Sequence, residues 1–229
     1  MASKKNSRFW VGLAVALVLP LSFFVIAKAL KKDHINMPHY YGVEKVAAVG
    51  DTVWRTAPEL RGVNQVGEPV ALNADLEGKV LAVNFFFAQC QDVCPKLTQN
   101  ISLIQRAFRR TAQRMNDTMV QLVSISVLPE QDSVPILRAY ADRAGANPDR
   151  WWFINAPKPD VYRYMRESLG LAAGEGNGGA EDFAHSQQIV LLDRKRHIRG
   201  YYDGLDPIQI KKCADDIVLL SLEKERKRH

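Results

Sequence analysis

The chain opens with a block of nineteen uncharged, mostly apolar positions, Phe9 to Ala27. About 20 such residues carry a helix across a bilayer, so the pattern predicts a transmembrane anchor, with Pro20 tolerable inside it. The block is longer than the roughly 7–15 residues of a signal-peptide core. That favours an uncleaved anchor, although Ala27-Lys28-Ala29 resembles a cleavage site. Beyond a polar connector, Asp33 to Tyr41, the pattern shortens. Val43 to Leu76 reads as turns and short strands, punctuated by Gly50-Asp51 and Gly67-Glu68-Pro69.

Two apolar runs follow, Val80 to Phe87 and Met119 to Val127, each consistent with a strand buried on both faces. Between them, Leu97, Ile101, Ile104 and Phe108 form one stripe of a helix predicted over Pro95 to Gln113. A second helix, Val134 to Ala144, is closed by Gly145. Trp151 to Ile154 is a short strand, and Asp160 to Leu169 a third helix with Asp160 as its cap. Gly170 to Asp182 is a glycine-rich loop. Gln188 to Leu192 and His197 to Tyr202 read as a hairpin through Asp193 to Arg196. Asp206 and Pro207 then open a last helix with Ile210, Cys213, Ile217 and Leu220 on one face. Strands alternating with helices predict an α/β domain with a mixed sheet. The expected organisation is a cytoplasmic stub and anchor over 1–32, a linker over 33–41, one domain over 42–222 and a charged tail over 223–229.

Charge changes this picture little. The net charge is +6, and Lys4, Lys5, Arg8, Lys28, Lys31 and Lys32 account for it, with no acid before Asp33. The excess flanks the apolar block, so it reads as membrane flanking and excludes a nucleic-acid partner. Three cations on each side leave the positive-inside rule nearly silent. A short basic N-terminus stays most simply in the cytoplasm, which puts the domain outside. No arginine-rich presequence is seen, which favours a bacterial inner membrane over a mitochondrial one.

The chemistry lies where the first long strand ends. Cys90 and Cys94, in Phe85-Phe86-Phe87-Ala88-Gln89-Cys90-Gln91-Asp92-Val93-Cys94-Pro95, sit at a strand-to-helix junction. Helix N-terminal amides favour thiolates there. The pair can form a disulfide or grip a soft metal, and spacing alone does not choose. Two thiolates are too few for a structural zinc site, and no cationic pocket for a peroxide-reducing thiol is evident. His185, in Asp182-Phe183-Ala184-His185-Ser186, is the candidate third ligand, since thiolates and imidazole together suit copper. His34, Met37 and His39 have no spacing that fixes a site. Cys213 reads as a buried small hydrophobe, and His197 as part of a solvated charge cluster.

Four stretches resemble the Sco/SenC family of membrane-anchored, thioredoxin-like copper proteins. They are Asn84 to Pro95, Ser124 to Asp132, Ala184 to Asp193, and Gly200-Tyr201-Tyr202-Asp203-Gly204. The likeness spans roughly Tyr41 to Gly204 in the expected order. It implies a thioredoxin-like sheet flanked by helices, and Cu(I), with Cu(II) also accommodated, on Cys90, Cys94 and His185. It also implies delivery to cytochrome c oxidase subunit II or a related cuproenzyme, with exchange among other copper-delivery or thiol-redox proteins. The alternative is a thiol–disulfide reductase acting on the oxidase cysteines through the Cys90/Cys94 pair. Asp92 matches an acid of the family. Leu128 stands where the family usually has aspartate, and Gln91 where proline is frequent.

Overall fold

The computed structural model describes residues 4–30, 36–46, 52–111, 119–171 and 187–223. They divide into two units, Met1–Asn36 and Met37–His229. The first contains one 27-residue helix, α1 (Lys4–Leu30), with Pro20 inside it. Every side chain from Trp10 to Phe23 is exposed. Among the described residues, no helix is long and apolar enough to cross a membrane.

The second unit is the expected mixed α/β sheet. Its strands are β1 (Val43–Val46), β2 (Thr52–Trp54), β3 (Arg61–Asn64), β4 (Pro69–Ala71), β5 (Val80–Phe86), β6 (Val120–Ser126), β7 (Trp151–Asn155), β8 (Gln188–Leu192) and β9 (Ile198–Asp203). β1 and β2 pair apart from the rest, and the main sheet has the order β4-β3-β7-β6-β5-β8-β9. The central strands β5, β6 and β7 are parallel, and the flanking pairs are antiparallel.

β5 alternates between two cores. Leu81, Val83 and Phe85 join one apolar cluster with Val161 and Met165. Val80, Ala82 and Phe86 join the other with Leu97, Leu137 and Ile217. This is why β5 reads as a continuous apolar run: both of its faces are covered. The helices over the second face are α3 (Val93–Thr111), α4 (Val134–Ala144) and α6 (Pro207–Leu222); α2 (Leu72–Asp75) and α5 (Lys158–Arg163) serve the first. Gly145, in the left-handed conformation at φ 66°, closes α4. Asp206 caps α6 by accepting the Ile208 N–H at 2.8 Å.

Three expectations need correction. The helix α3 begins at Val93, two residues before Pro95, because proline is tolerated throughout a helix's first turn. Cys94 therefore lies within that turn. Asp160 is not a cap: α5 starts at Lys158 behind Pro157, since prolines are pre-set for a helix start. The segment then continues as a π-helical turn, Tyr164–Ser168.

The hairpin cluster is not solvated either. Arg196, at φ 68°, turns its guanidinium inward onto the carbonyls of Leu76 (2.5 Å) and Lys79 (2.8 Å) and onto Asn73 Oδ1 (2.9 Å). Arg199, 2% exposed, holds the Pro38 carbonyl at 2.8 Å, Asp193 at 3.1 Å and Glu223 at 2.8 Å. His197 packs edge-on against Tyr40 and lies 3.3 Å from Asp193 through Nδ1. Asp193 is a near neighbour, but the Arg196 acceptors, Pro38 and Tyr40 sit far away in sequence, where a local charge pattern cannot register them.

Candidate functional site: a dithiol at the end of β5

β5 delivers the chain to the C-terminal end of the central strands, and α3 takes it back. The two cysteines occupy that reversal. Cys90 is half-buried and Cys94 is 7% exposed, packed in the second core. Both are free thiols. The backbone N–H of Cys94 donates to Sγ of Cys90 at 3.3 Å.

Their environments push the two thiols in opposite directions. Burial raises the Cys90 thiol, but hydrogen bonds from the Cys94 thiol and from the N–H groups of Cys94, Asp92 and Val93 outweigh it, and the net effect is a lowered pKa. These are the unsatisfied amides of a helix start, which stabilise a thiolate. Burial pushes the Cys94 thiol up to about 12; donation to Cys90 adds to this, and the Phe87 N–H opposes it. One sulfur is thus half-exposed and acidic, the other sheltered and protonated.

Asp92 does not reach the sulfurs with its carboxylate. Its side chain is 82% exposed and pairs with Lys96 at 3.1 Å, an arrangement worth little in water. Gln91 is exposed. Leu128 is 7% exposed and belongs to the first core, so its position calls for an apolar side chain here.

The carboxylate that does sit beneath the loop is Asp132, 1% exposed. Sequence reading gave it no role, although an acid closing an apolar strand and turn was a visible signal. Both of its oxygens lie 3.2 Å from the Ala88 N–H, and Ser126 Oγ donates to it at 2.5 Å. Burial raises its pKa, and the bonds from Ser126 and Ala88 oppose that rise.

His185 lies outside the described residues, as do His34 and most of the glycine-rich stretch. Among the described residues no group of three or more His, Cys, Asp or Glu side chains is placed to hold a metal ion. The start of β8 is described and sits close to α3. The Gln187 carbonyl accepts the Gly204 N–H at 2.9 Å, and Asn100 of α3 donates to the Gly204 carbonyl at 2.7 Å. Cys213 is fully buried, and burial pushes its thiol up to about 12.

Known proteins resemble this chain in sequence and fold. The sequence pattern of the SCO1/SenC family matches residues 54–219. A SCO1 protein homolog from Bacillus subtilis (strain 168) is 31% identical over 155 residues, covering 67% of this chain and 77% of that protein. The structure of BsSco, described as a member of the Sco family of cytochrome c oxidase assembly proteins with a disulfide switch, superposes with a TM-score of 0.63. It is 21% identical, with 76% of this chain and 98% of that one covered. Bradyrhizobium japonicum ScoI, solved with copper bound, gives a TM-score of 0.55 at 20% identity, covering 72% and 99%. The fold is therefore thioredoxin-like. With the family pattern spanning the sheet, the dithiol turn and most of the last helix, this chain belongs to the SCO1/SenC family.

Proposed function

We propose that this protein carries copper as cargo on the thiolates of Cys90 and Cys94, with His185 as third ligand. It then passes the ion to the copper centre of cytochrome c oxidase, in subunit II or a related cuproenzyme. The observation that carries the reading is the dithiol itself: one sulfur stands just before a helix start and the other in its first turn, with backbone N–H groups aimed at Cys90. Soft thiolates suit Cu(I), and a related family member has been solved with copper bound.

Position along the chain supports His185. β8 runs antiparallel to β5, with Leu81 opposite Leu192 and Val83 opposite Val190. β8 begins at Gln188, three residues after His185 in the sequence. A third ligand on the approach to β8 can be lifted away, leaving the metal open to incoming thiols on an acceptor.

In this reading α1 anchors the chain in a bacterial inner membrane, with the domain over 42–222 facing the periplasm. Its support is a helix spanning the whole of Phe9 to Ala27, with all side chains from Trp10 to Phe23 exposed and only two of these fourteen residues, Gly12 and Ser22, being other than apolar or proline. A helix apolar all round belongs in lipid.

The test is copper content in the full chain held in detergent. The parent is expected to retain one Cu(I) per chain against a soluble Cu(I) chelator. His185→Ala is expected to weaken retention, and Cys90→Ala or Cys94→Ala to abolish it. Stoichiometric Cu(I) on a Cys90→Ala/Cys94→Ala double variant would remove the site assignment.

One observation favours a second reading, thiol–disulfide exchange with the oxidase cysteines. The half-exposed, acidified Cys90 beside a sheltered, protonated Cys94 is the pattern of an attacking thiolate and its resolving partner. The metal-free, reduced chain would then reduce an oxidised acceptor peptide, and Cys90→Ala would stop it.

A further inference from the structure

The loop that aims the dithiol is held from below by a single buried carboxylate. Phe87 and Ala88 form the hinge between β5 and Cys90, and three of their four backbone groups are committed. The Phe87 carbonyl accepts the Cys90 N–H at 3.2 Å. The Phe87 N–H serves the Cys94 sulfur. The Ala88 N–H meets both oxygens of Asp132 at 3.2 Å. The Ala88 N–H shares its peptide plane with the Phe87 carbonyl, so the clamp on Ala88 fixes the carbonyl that orients Cys90 and, through the adjoining Phe87 Cα, restrains the N–H directed at Cys94.

Asp132 is itself bolted in place. Ser126, at the end of β6, donates to its Oδ2 at 2.5 Å. Its own N–H donates to the Leu128 carbonyl at 3.0 Å, and its carbonyl accepts Asn155 Nδ2 from the end of β7 at 2.7 Å. Val127 N–H in turn holds the Phe86 carbonyl at 2.9 Å. The site loop is thus fastened to the ends of two neighbouring strands. Among the described residues no Lys, Arg or His forms an ion pair with Asp132. A buried carboxylate satisfied by hydrogen bonds alone is costly to keep, and nothing in the packing of β6 requires an acid at this position.

We infer that Asp132 is the positioning residue of the dithiol, its carboxylate clamping the Ala88 N–H so that Cys90 and Cys94 face one ligand or one another. This rests on Cys90 and Cys94 being the working pair. Groups that orient metal ligands from behind change affinity by about 10–100-fold when removed.

The test uses the full chain in detergent, with Cu(I) as the probe. Three quantities are read: Cu(I) retention against a chelator, the dithiol/disulfide reduction potential of the metal-free protein, and the thermal midpoint. Asp132→Ala should lower retention by about tenfold or more and move the potential. Asp132→Asn keeps an acceptor for Ala88 and can donate to Ser126, so it should restore retention to within about threefold of the parent and return the potential toward the parental value. Rescue by asparagine separates positioning from general destabilisation, which the thermal midpoint reads independently. If the alanine variant fails to fold, Ser126→Ala, which loosens Asp132 without removing it, should give a smaller loss of the same kind.

Retention and potential unchanged in Asp132→Ala, or lost equally in the alanine and asparagine variants, would overturn the role. So would unchanged values in Ser126→Ala where that variant takes the place of the alanine one. A Cys90→Ser/Cys94→Ser chain run in parallel keeps the two ideas apart. Parental copper retention in that chain defeats the dithiol reading, whatever Asp132 does. Copper loss there, with Asp132→Ala indistinguishable from the parent, defeats the positioning role alone.

Discussion

The amide of Cys94 points at the sulfur of Cys90, 3.3 Å away. A spacing of four residues permits this only because α3 starts between the two cysteines, at Val93. The backbone therefore distinguishes two residues of the same type. Cys90 stands in front of the helix end and collects its unsatisfied N–H groups; Cys94 is wound into the helix and faces the core.

Reactivity should show this division. In the reduced, metal-free chain Cys90 is expected to alkylate first, by about tenfold or more, because the thiolate is the nucleophile and Cys94 is pushed up to about 12. The sign follows from the lowered Cys90 pKa: its thiolate persists as pH falls below the ordinary thiol value of about 8.5. The rate profile should therefore be displaced toward acid relative to a free thiol. Cys94→Ala removes a donor to Cys90 and should move the profile back toward alkaline pH. Mass-resolved iodoacetamide labelling from pH 6 to 9 checks both. Faster labelling of Cys94 would contradict the arrangement.

Gly204 sets how closely β8 approaches α3. A Cβ there would run into the Leu97 side chain and stand 2.8 Å from the Gln187 carbonyl. The carbonyl is backbone and cannot rotate aside. Gly204→Ala should thus cost about 1–3 kcal/mol in denaturant unfolding, the usual range for overpacking. Since Gln187 lies two residues from His185, the same change should weaken copper retention more than an equally destabilising change elsewhere. Leu137→Ala, in the α4 core, is the comparison. Equal retention in the two variants would separate β8 placement from the site.

Arg199 ties three distant parts of the second unit together: Pro38 near its beginning, Asp193 in the hairpin and Glu223 after α6. It also lies over the Tyr40 ring, 4.0 Å from its centroid. Arg199→Met keeps much of the volume but leaves the Asp193 carboxylate, 9% exposed, without this partner. Removing one member of a buried pair costs about 3–5 kcal/mol, and a loss of that order is expected in equilibrium unfolding. Arg199→Lys should recover only part of it, since one ammonium cannot reach all three acceptors as the guanidinium fork does. Full stability in Arg199→Met would mean the cluster contributes nothing net.

What could be read from the sequence was whatever depends on near neighbours. The runs at β5 and β6, the stripe on α3, Gly145 behind α4 and Asp206-Pro207 before α6 all follow from local period and capping, and the elements formed there. The dithiol was legible because its two thiols stand four residues apart, on either side of one helix start. The start of α5 was misread because Asp160 looked like a cap, while Pro157 had already fixed the chain. Arg196 looked like surface charge because its acceptors Asn73, Leu76 and Lys79 lie more than a hundred residues away. Asp132 was missed for the same reason: its partner Ala88 is 44 residues away.

The third cysteine offers a control on everything proposed for the other two. Cys213 is fully buried on α6 beside Ile217 and Tyr202. Burial and the nearby Asp216 hold its thiol protonated, at about 12, so near neutral pH it is neither nucleophile nor soft ligand. Cys213→Ala should leave copper stoichiometry and Cys90 labelling unchanged while costing about 1 kcal/mol for the vacated volume. In the parent, this thiol should label only once the chain is unfolded. Copper loss in Cys213→Ala at an unchanged thermal midpoint would place Cys213 in the metal chemistry and overturn its assignment to the core.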